Sequence, residues 1–380
     1  MDRRSFLQTL GLLGASALLP RPALAAAAPA TTVIAAAWYA SGELPPPFSK
    51  GVGHYVGVLQ IDWAASDIRL LGAVKVPHRP HGIVATPDGS GFHAVAFRHG
   101  GWMLHADREG KVIRRIDTAV PDGKRTFDGH LELSPDGKWL FTTETDVGTG
   151  QGWVSVRRAA TLERVAEFPT RGIDPHQLLL DDEGMVVVAN GGIRWTLDNQ
   201  KLDLDRMESS LVRINAENGE LLGQWTLRDK QLSMRHIAWN TTPAGKRVLG
   251  IAMQGQHEGA DERRNSPVLA LWDGKSLDIP SRSPLGLGYL GDIQPGPGGG
   301  FLMSAEIHDR AVFWHPGDAA KLFLIAEMSR AAAIAPSGEN NSLFIGGEKG
   351  IARWELNQQA QLLPWPLPIA PDHHWAVLQG

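Results

Sequence analysis

Ser134-Pro135-Asp136-Gly137-Lys138-Trp139-Leu140-Phe141-Thr142-Thr143-Glu144 is the stretch whose reading decides the fold. Its first four residues make a tight turn: proline fixes one backbone angle and glycine accepts a positive φ. The run that follows, Trp139 to Thr143, is aromatic, aliphatic and β-branched, which is strand composition. The unit returns along the chain. Thr86-Pro87-Asp88-Gly89 and Ala335-Pro336-Ser337-Gly338 are variants of the turn, and Asp182-Glu183-Gly184, Pro243-Ala244-Gly245 and Pro297-Gly298-Gly299 stand at equivalent places. A hairpin recurring at this period is the mark of a repeat architecture in which neighbouring units bury one another.

One position sharpens the repeat. About eight residues before each turn glycine stands His81, His130, His176, His236, Asp292 or Arg330, and a seventh copy, His374-Trp375-Ala376-Val377-Leu378, ends the chain. The separations of 49, 46, 60, 56, 38 and 44 residues suit one four-stranded propeller blade each. Residues 32–37, 55–61 and 68–76 read as three strands lacking a first one, and the C-terminal strand is the missing piece. The expectation is an all-β fold, a seven-bladed β-propeller over residues 26–380. The C-terminal strand would complete the N-terminal blade and close the ring, which removes open sheet edges.

Composition narrows the chemistry. The chain of 380 residues has 43 glycines and 25 prolines, too many turn formers for a helical bundle, and its 43% hydrophobic content supports a real core. A net charge of −4 argues against nucleic acid as a partner. There is no cysteine, which excludes disulfides, iron–sulfur clusters and covalent c-type haem. Any metal must be held by nitrogen and oxygen.

The N-terminus reads as an export signal. Asp2-Arg3-Arg4-Ser5-Phe6-Leu7 precedes an apolar stretch ending at Leu19, and Ala23-Leu24-Ala25 offers a small-x-small cleavage site. The paired arginines resemble the twin-arginine signal, so residues 1–25 are expected to be removed on export to the periplasm. The stretch is too short to cross a bilayer, and no later segment reaches the length of a membrane span.

In a propeller the first strand of each blade lines the central channel, so the strand-leading residues should gather at one mouth. Five of the seven are histidine, in a chain with only 14 histidines. His81, His130, His176, His236, His374 and Asp292 are therefore candidate ligands for a transition metal: iron, copper or zinc. The ends of the second strands should reach the same face, adding Arg98, Glu144, Asn190, Glu306 and His308 as ligand-binding candidates. Arg330 would suit an anionic chelate or a carboxylate-bearing ligand rather than a bare cation. A histidine after glycine, as in Gly129-His130, is also a device by which propeller repeats hydrogen-bond within one blade. Two polar insertions, Ile193 to Ser209 and Gln256 to Asn265, explain the two longest separations and should fall on the mouth face as a lid, a docking surface or plain solvated loops.

The Ser134 to Glu144 segment resembles the repeats of the YVTN and quinoprotein-like propellers. The signal, the seven copies and the histidine-led strands together resemble a domain-of-unknown-function family of twin-arginine-exported periplasmic propellers, which accompanies imelysin-like proteins in iron-responsive gene clusters. The resemblance covers nearly all of the mature chain and implies iron uptake or handling, with imelysin-like proteins as partners. It brings no agreed activity. Metal or metal-chelate binding at the channel mouth is the function expected. An enzyme using the histidine and glutamate funnel, as an oxidoreductase accessory or a lyase, and a docking scaffold without a small ligand are the alternatives.

Overall fold

The computed structural model describes residues 31–120, 123–280, 285–336, 342–355 and 360–378. The signal-like segment 1–25 and the Gly338 end of the last turn lie outside them. The described residues are almost entirely β-strand, and no helix among them is long and apolar enough to cross a membrane.

The repeated turns take the form the sequence expects. In Thr86–Gly89 and Ser134–Gly137 the glycine N–H donates to the carbonyl of the first turn residue, at 2.9 and 2.8 Å, with glycine φ of 67° and 68°. Ser134 Oγ donates to Asp136 Oδ1 at 2.6 Å and accepts from Trp139 N at 3.0 Å, so the turn is pinned by its own side chains.

Five sheets have four strands each, at 80–116, 125–173, 175–225, 232–278 and 292–327. A sixth, eight-stranded sheet joins the two ends of the chain. It consists of the four strands at 333–364 and a second set in which Ile369–Val377 pairs with Thr31–Ala40, followed by Gly53–Asp62 and Asp67–Val76. A single parallel pair, Ile334 with His374, links the two halves. The pairing of Ile34 with Val377, Ala35 with Ala376 and Ala36 with Trp375 is the ring closure expected of the C-terminus. The innermost strands then touch in succession: Pro80–Ala85, Arg125–Leu133, Pro175–Leu180, Leu232–Thr241, Asp292–Pro295, Ala333–Pro336, Ile369–Val377, and Pro80–Ala85 again. The molecule is a β-propeller closed through its termini.

Cores lie between neighbouring sheets. Thr31–Ala40 shows why its sequence is a continuous apolar run instead of an alternating one. Ile34, Ala36 and Trp38 pack towards Ala333, Ala335 and Phe344, while Val33, Ala35 and Ala37 pack towards Phe92, Ala94 and Trp102. Both faces of the strand are covered, so both sets of side chains must be apolar. Tryptophans such as Trp102, Trp272 and Trp375 fill these inter-sheet layers, where their large area contributes most.

Candidate metal centre

The innermost strands converge on the axis, and five of them carry a local irregularity at the same place. Pro80 pairs with Ala96 and the next pair is Ile83 with Ala94, leaving His81 and Gly82 opposite one residue. The same slip occurs around His176, between Pro175 and Leu178, and around His236, between Met234 and Ile237; around His130 it is one residue larger, with Asp128, Gly129 and His130 opposite Thr143. In the C-terminal strand, Asp372, His373 and His374 all stand opposite Ala37. A β-bulge re-aims the side chain it carries, and here each bulge carries a histidine. The regular strands Asp292–Pro295 and Ala333–Pro336 carry no histidine and no bulge.

The result is a ring of imidazoles. Adjacent centroids lie 4.9 Å apart for His81 and His130, 4.5 Å for His130 and His176, 4.5 Å for His176 and His236, 4.8 Å for His236 and His374, and 4.7 Å for His374 and His81. Glycines permit the approach. A Cβ on Gly82 would stand 2.5 Å from the Gly129 carbonyl oxygen, and one on Gly129, whose φ is +103°, would meet the His81 ring at 2.8 Å.

All five rings are buried, and burial lowers every pKa: to about 4 for His81, and well below the usual imidazole value for His130, His176, His236 and His374. The imidazoles crowd one another, which disfavours the charged form further. Neutral imidazole is the form that coordinates metals.

The nitrogens face inward. His236 Nε2 lies 3.0 Å from His176 Nε2 and 3.1 Å from His374 Nε2. A ring nitrogen has either one hydrogen or one in-plane lone pair, so no choice of tautomer gives His236 two good hydrogen bonds there. The buried Nε2 atoms of His81 and His130 have no hydrogen-bond partner. A cation would satisfy all of these atoms together. With metal–nitrogen bonds near 2.0–2.1 Å, neighbouring ligand nitrogens stand about 2.9 to 3.4 Å apart, which matches the two shortest contacts. His81, His130, His176 and His236 each offer a ligand atom within 4.8 Å of the others, so this buried group could hold a metal ion.

Carboxylates stand behind the ring. Asp372 Oδ1 accepts from His81 Nδ1 at 3.1 Å, and Arg79 grips the same carboxylate at 2.6 and 3.0 Å. Burial opposes ionisation of Asp372, but Arg79 and His81 outweigh it and hold the carboxyl well below its usual range. An imidazole Nδ1–H bound to carboxylate leaves Nε2 free to ligate, the common outer partner of a metal-bound histidine. Glu306 pairs with His373 at 2.5 Å and accepts from Tyr289 at 3.1 Å; burial is again outweighed, and its pKa falls to about 2. Asp292 lies 3.6 Å from His374 Nδ1 and is fully buried, which raises its pKa well above the carboxylate range despite N–H donors from Ile293 and Ile334.

The other residues singled out in the sequence are placed elsewhere. Glu144 faces the layer between sheets, accepts from Arg157 at 2.7 Å and from Thr142 at 2.9 Å, and does not reach the imidazoles, because a buried carboxylate takes the buried guanidinium beside it. Asn190 donates to Thr170 O at 3.1 Å and to Ser210 at 3.3 Å. His308 contacts the Leu287 carbonyl at 2.5 Å. Arg330 is exposed in a left-handed turn with φ of 48°, three residues before its inner strand begins, so it does not face the channel. Arg98 does reach the mouth, where it meets Asp174 at 3.3 Å. The sequence reading passed over Arg79, Asp174, Arg235, Asp372 and His373. For Arg79, Asp174 and Asp372 a signal was present, since a charged residue stands two positions before His81, His130, His176 and His374; Arg235 and His373, each directly before a ring histidine, fall outside that pattern.

The insertion at 193–209 covers this face. Trp195 lies over the Arg98 guanidinium at 4.0 Å, and Lys201 Nζ donates to Gln256 Oε1 of the second insertion at 2.6 Å.

Comparison with known proteins agrees with the fold and names a family. The chain belongs to DUF1513. That family, described as proteins of unknown function, matches residues 74–378. No curated protein matches the chain in sequence. Among solved structures, the chain resembles hydrazine synthase of Kuenenia stuttgartiensis, with a TM-score of 0.56, 15% identity, and coverage of 83% of this chain and 92% of that one. It is also similar to streptogramin B lyase, with a TM-score of 0.54, 14% identity and coverage of 77% and 85%. Virginiamycin B lyase from Staphylococcus aureus gives 0.52, 15%, 76% and 85%. At these identities the likeness concerns the propeller alone.

Proposed function

We propose that this DUF1513 protein binds one transition-metal ion on the propeller axis through the imidazole nitrogens of His81, His130, His176, His236 and His374. The observation that carries the reading is the set of inward nitrogens: two Nε2···Nε2 contacts that hydrogen bonding cannot both satisfy, beside two partnerless Nε2 atoms. An all-imidazole donor set suits zinc, copper or iron. Asp372, through His81, is the positioning carboxylate. On the same reading the eight-stranded sheet counts as two blades, seven in all, supported by the lone pair that joins its halves.

The proposed setting is the periplasm after twin-arginine export, in iron handling beside imelysin-like proteins. Asp2-Arg3-Arg4-Ser5-Phe6-Leu7 and the family resemblance support it. Replacing Arg3 and Arg4 with lysine should retain the precursor in the cytoplasm of an exporting host; normal export would overturn the route.

Calorimetric titration of metal-stripped protein with zinc, copper and ferrous ions, in a non-coordinating buffer, tests the site. One ion per chain is expected. Folded protein that binds none of the three overturns the metal reading and leaves the ring a structural device.

A further inference from the structure

Directly at the metal face, two buried arginines share one acid. Asp174 Oδ1 accepts from Arg98 Nη1 at 3.3 Å, and its Oδ2 accepts from Arg235 Nη1. Side-chain exposures are 5%, 3% and 2% for Arg98, Arg235 and Asp174, so none of these charges is relieved by solvent. The buried Nε of Arg235 has no partner. Trp195 covers the group, 4.0 Å from Arg98 and 6.0 Å from Arg235, and Lys201 lies 5.7 Å from the same ring. Burial and the two guanidiniums together push the Lys201 amine down to about 8, and burial with Arg235 brings Arg98 down to about 10. Arg98, Arg235 and the more exposed Lys201 therefore outnumber the two carboxyls among them, Asp174 and the buried Asp128, and the imbalance is costly where the guanidiniums are buried.

These charges stand next to the imidazoles by chain connection as well as by space. Arg235 precedes His236, and Asp174 is two residues before His176. A cavity of about 250 Å³ beneath the insertion, lined by Asp174, His99, Thr145 and Trp195, reaches the acid that both arginines hold, although neither arginine lines it.

We propose that Arg98 and Arg235, above the imidazole ring, form a subsite for the carboxylate of a small organic acid. The shape argument is internal: the two guanidiniums already hold the two oxygens of a planar carboxylate, that of Asp174, one each. Guanidinium pairs recognise such groups by paired hydrogen bonds, and the excess positive charge is what a ligand carboxylate would neutralise. The acid would bring oxygen donors to the open side of the ion, a role that rests on the metal reading; the anion subsite itself does not. This is the anion recognition the sequence reading assigned to Arg330, supplied by different arginines.

The test uses sodium oxalate and calorimetry on metal-free and zinc-loaded protein in a non-coordinating buffer. Oxalate should bind one form or both, and Arg235→Gln should weaken that binding at least tenfold. Where zinc binds, oxalate should tighten zinc binding at least tenfold in the unsubstituted protein and much less in Arg235→Gln, because coupling between two sites is reciprocal. Arg98→Lys, which keeps the charge and loses the fork, serves as the second variant, and melting curves check that each variant is folded. Oxalate binding without any metal binding upholds the subsite while the metal reading falls. Zinc binding indifferent to oxalate, with no oxalate bound by either form, overturns the subsite and leaves the metal site standing. Oxalate binding unchanged in both variants, or inorganic phosphate bound more tightly than oxalate, overturns it too.

Discussion

Two groups of packed histidines in this protein have opposite chemistry, one fully buried and the other with one ring, His105, half-buried. On the 80–116 sheet, His93 and His105 face each other across neighbouring strands, stacked with centroids 4.2 Å apart and planes 12° apart. On the axis, five imidazoles meet at 4.5 to 4.9 Å with planes 56° to 79° apart. Burial lowers the pKa in both groups, so a depressed imidazole alone does not mark a functional site. The difference is where the nitrogens point. His93 Nε2 contacts the Ala159 carbonyl at 3.1 Å, a hydrogen bond within the packing. The axial nitrogens point at one another, come from five different sheets, and have carboxylates behind them. Regular pairing stacks two rings; bulges turn five inward.

The largest test removes what holds the axial group together. Deleting Asp372 onward takes away His373, His374 and most of the strand that closes the ring, exposing the Thr31–Ala40 edge and its apolar faces. The truncated chain should be insoluble or lose its cooperative melt. A truncated protein that melts like the full chain would mean that the termini do not close the ring.

Substitution of ligands should then separate the two histidine groups. His176→Ala with His236→Ala should lower metal affinity by at least about a thousandfold, roughly 4 kcal/mol. His93→Gln with His105→Gln should leave it within about threefold. Equal losses in both double variants would erase the distinction.

Acid sensitivity sharpens it from the other side. Burial holds His93 at about 4, against 6.5 for the unfolded chain. Between those values the unfolded chain binds a proton that the folded protein does not, so stability falls as pH drops from 6.5 to 4. For His93 the loss is on the order of 3 kcal/mol, complete near pH 4. His93→Gln should therefore lose about that much less than the unsubstituted protein over the same range, measured by denaturant melts at each pH. Identical pH slopes would assign the acid loss elsewhere.

The smallest effect concerns the residue behind the ring. Asp372→Asn should weaken metal binding about ten- to a hundredfold through His81 alone. Melting of the metal-free variant reports separately on the lost Arg79 pair. Unchanged affinity would mean that His81 is not a ligand or needs no orienting partner.

The propeller was legible because turn and strand chemistry repeat. Ser134-Pro135-Asp136-Gly137 needs nothing beyond its own side chains to make its turn, and the apolar runs around it have one sensible use. The five histidines were legible for the same reason: a position fixed within each repeat must fall at one radius of a ring. Glu144 and Arg330 misled because sharing a repeat position does not fix direction. Glu144 turned to Arg157 across the sheet, and Arg330 stopped short of its strand in a left-handed turn.

The sequence by itself determined the repeat, the closure of the ring by its last strand, and which residue type crowds the axis, all of which depend on local propensity and spacing. Only the tertiary structure decided that each histidine sits in a bulge, that Asp372 stands behind His81, and that Arg98 and Arg235 share Asp174. Those are meetings of residues as far apart as 81 and 372, and a slip of one residue in pairing redirects a side chain in a way that no local preference records.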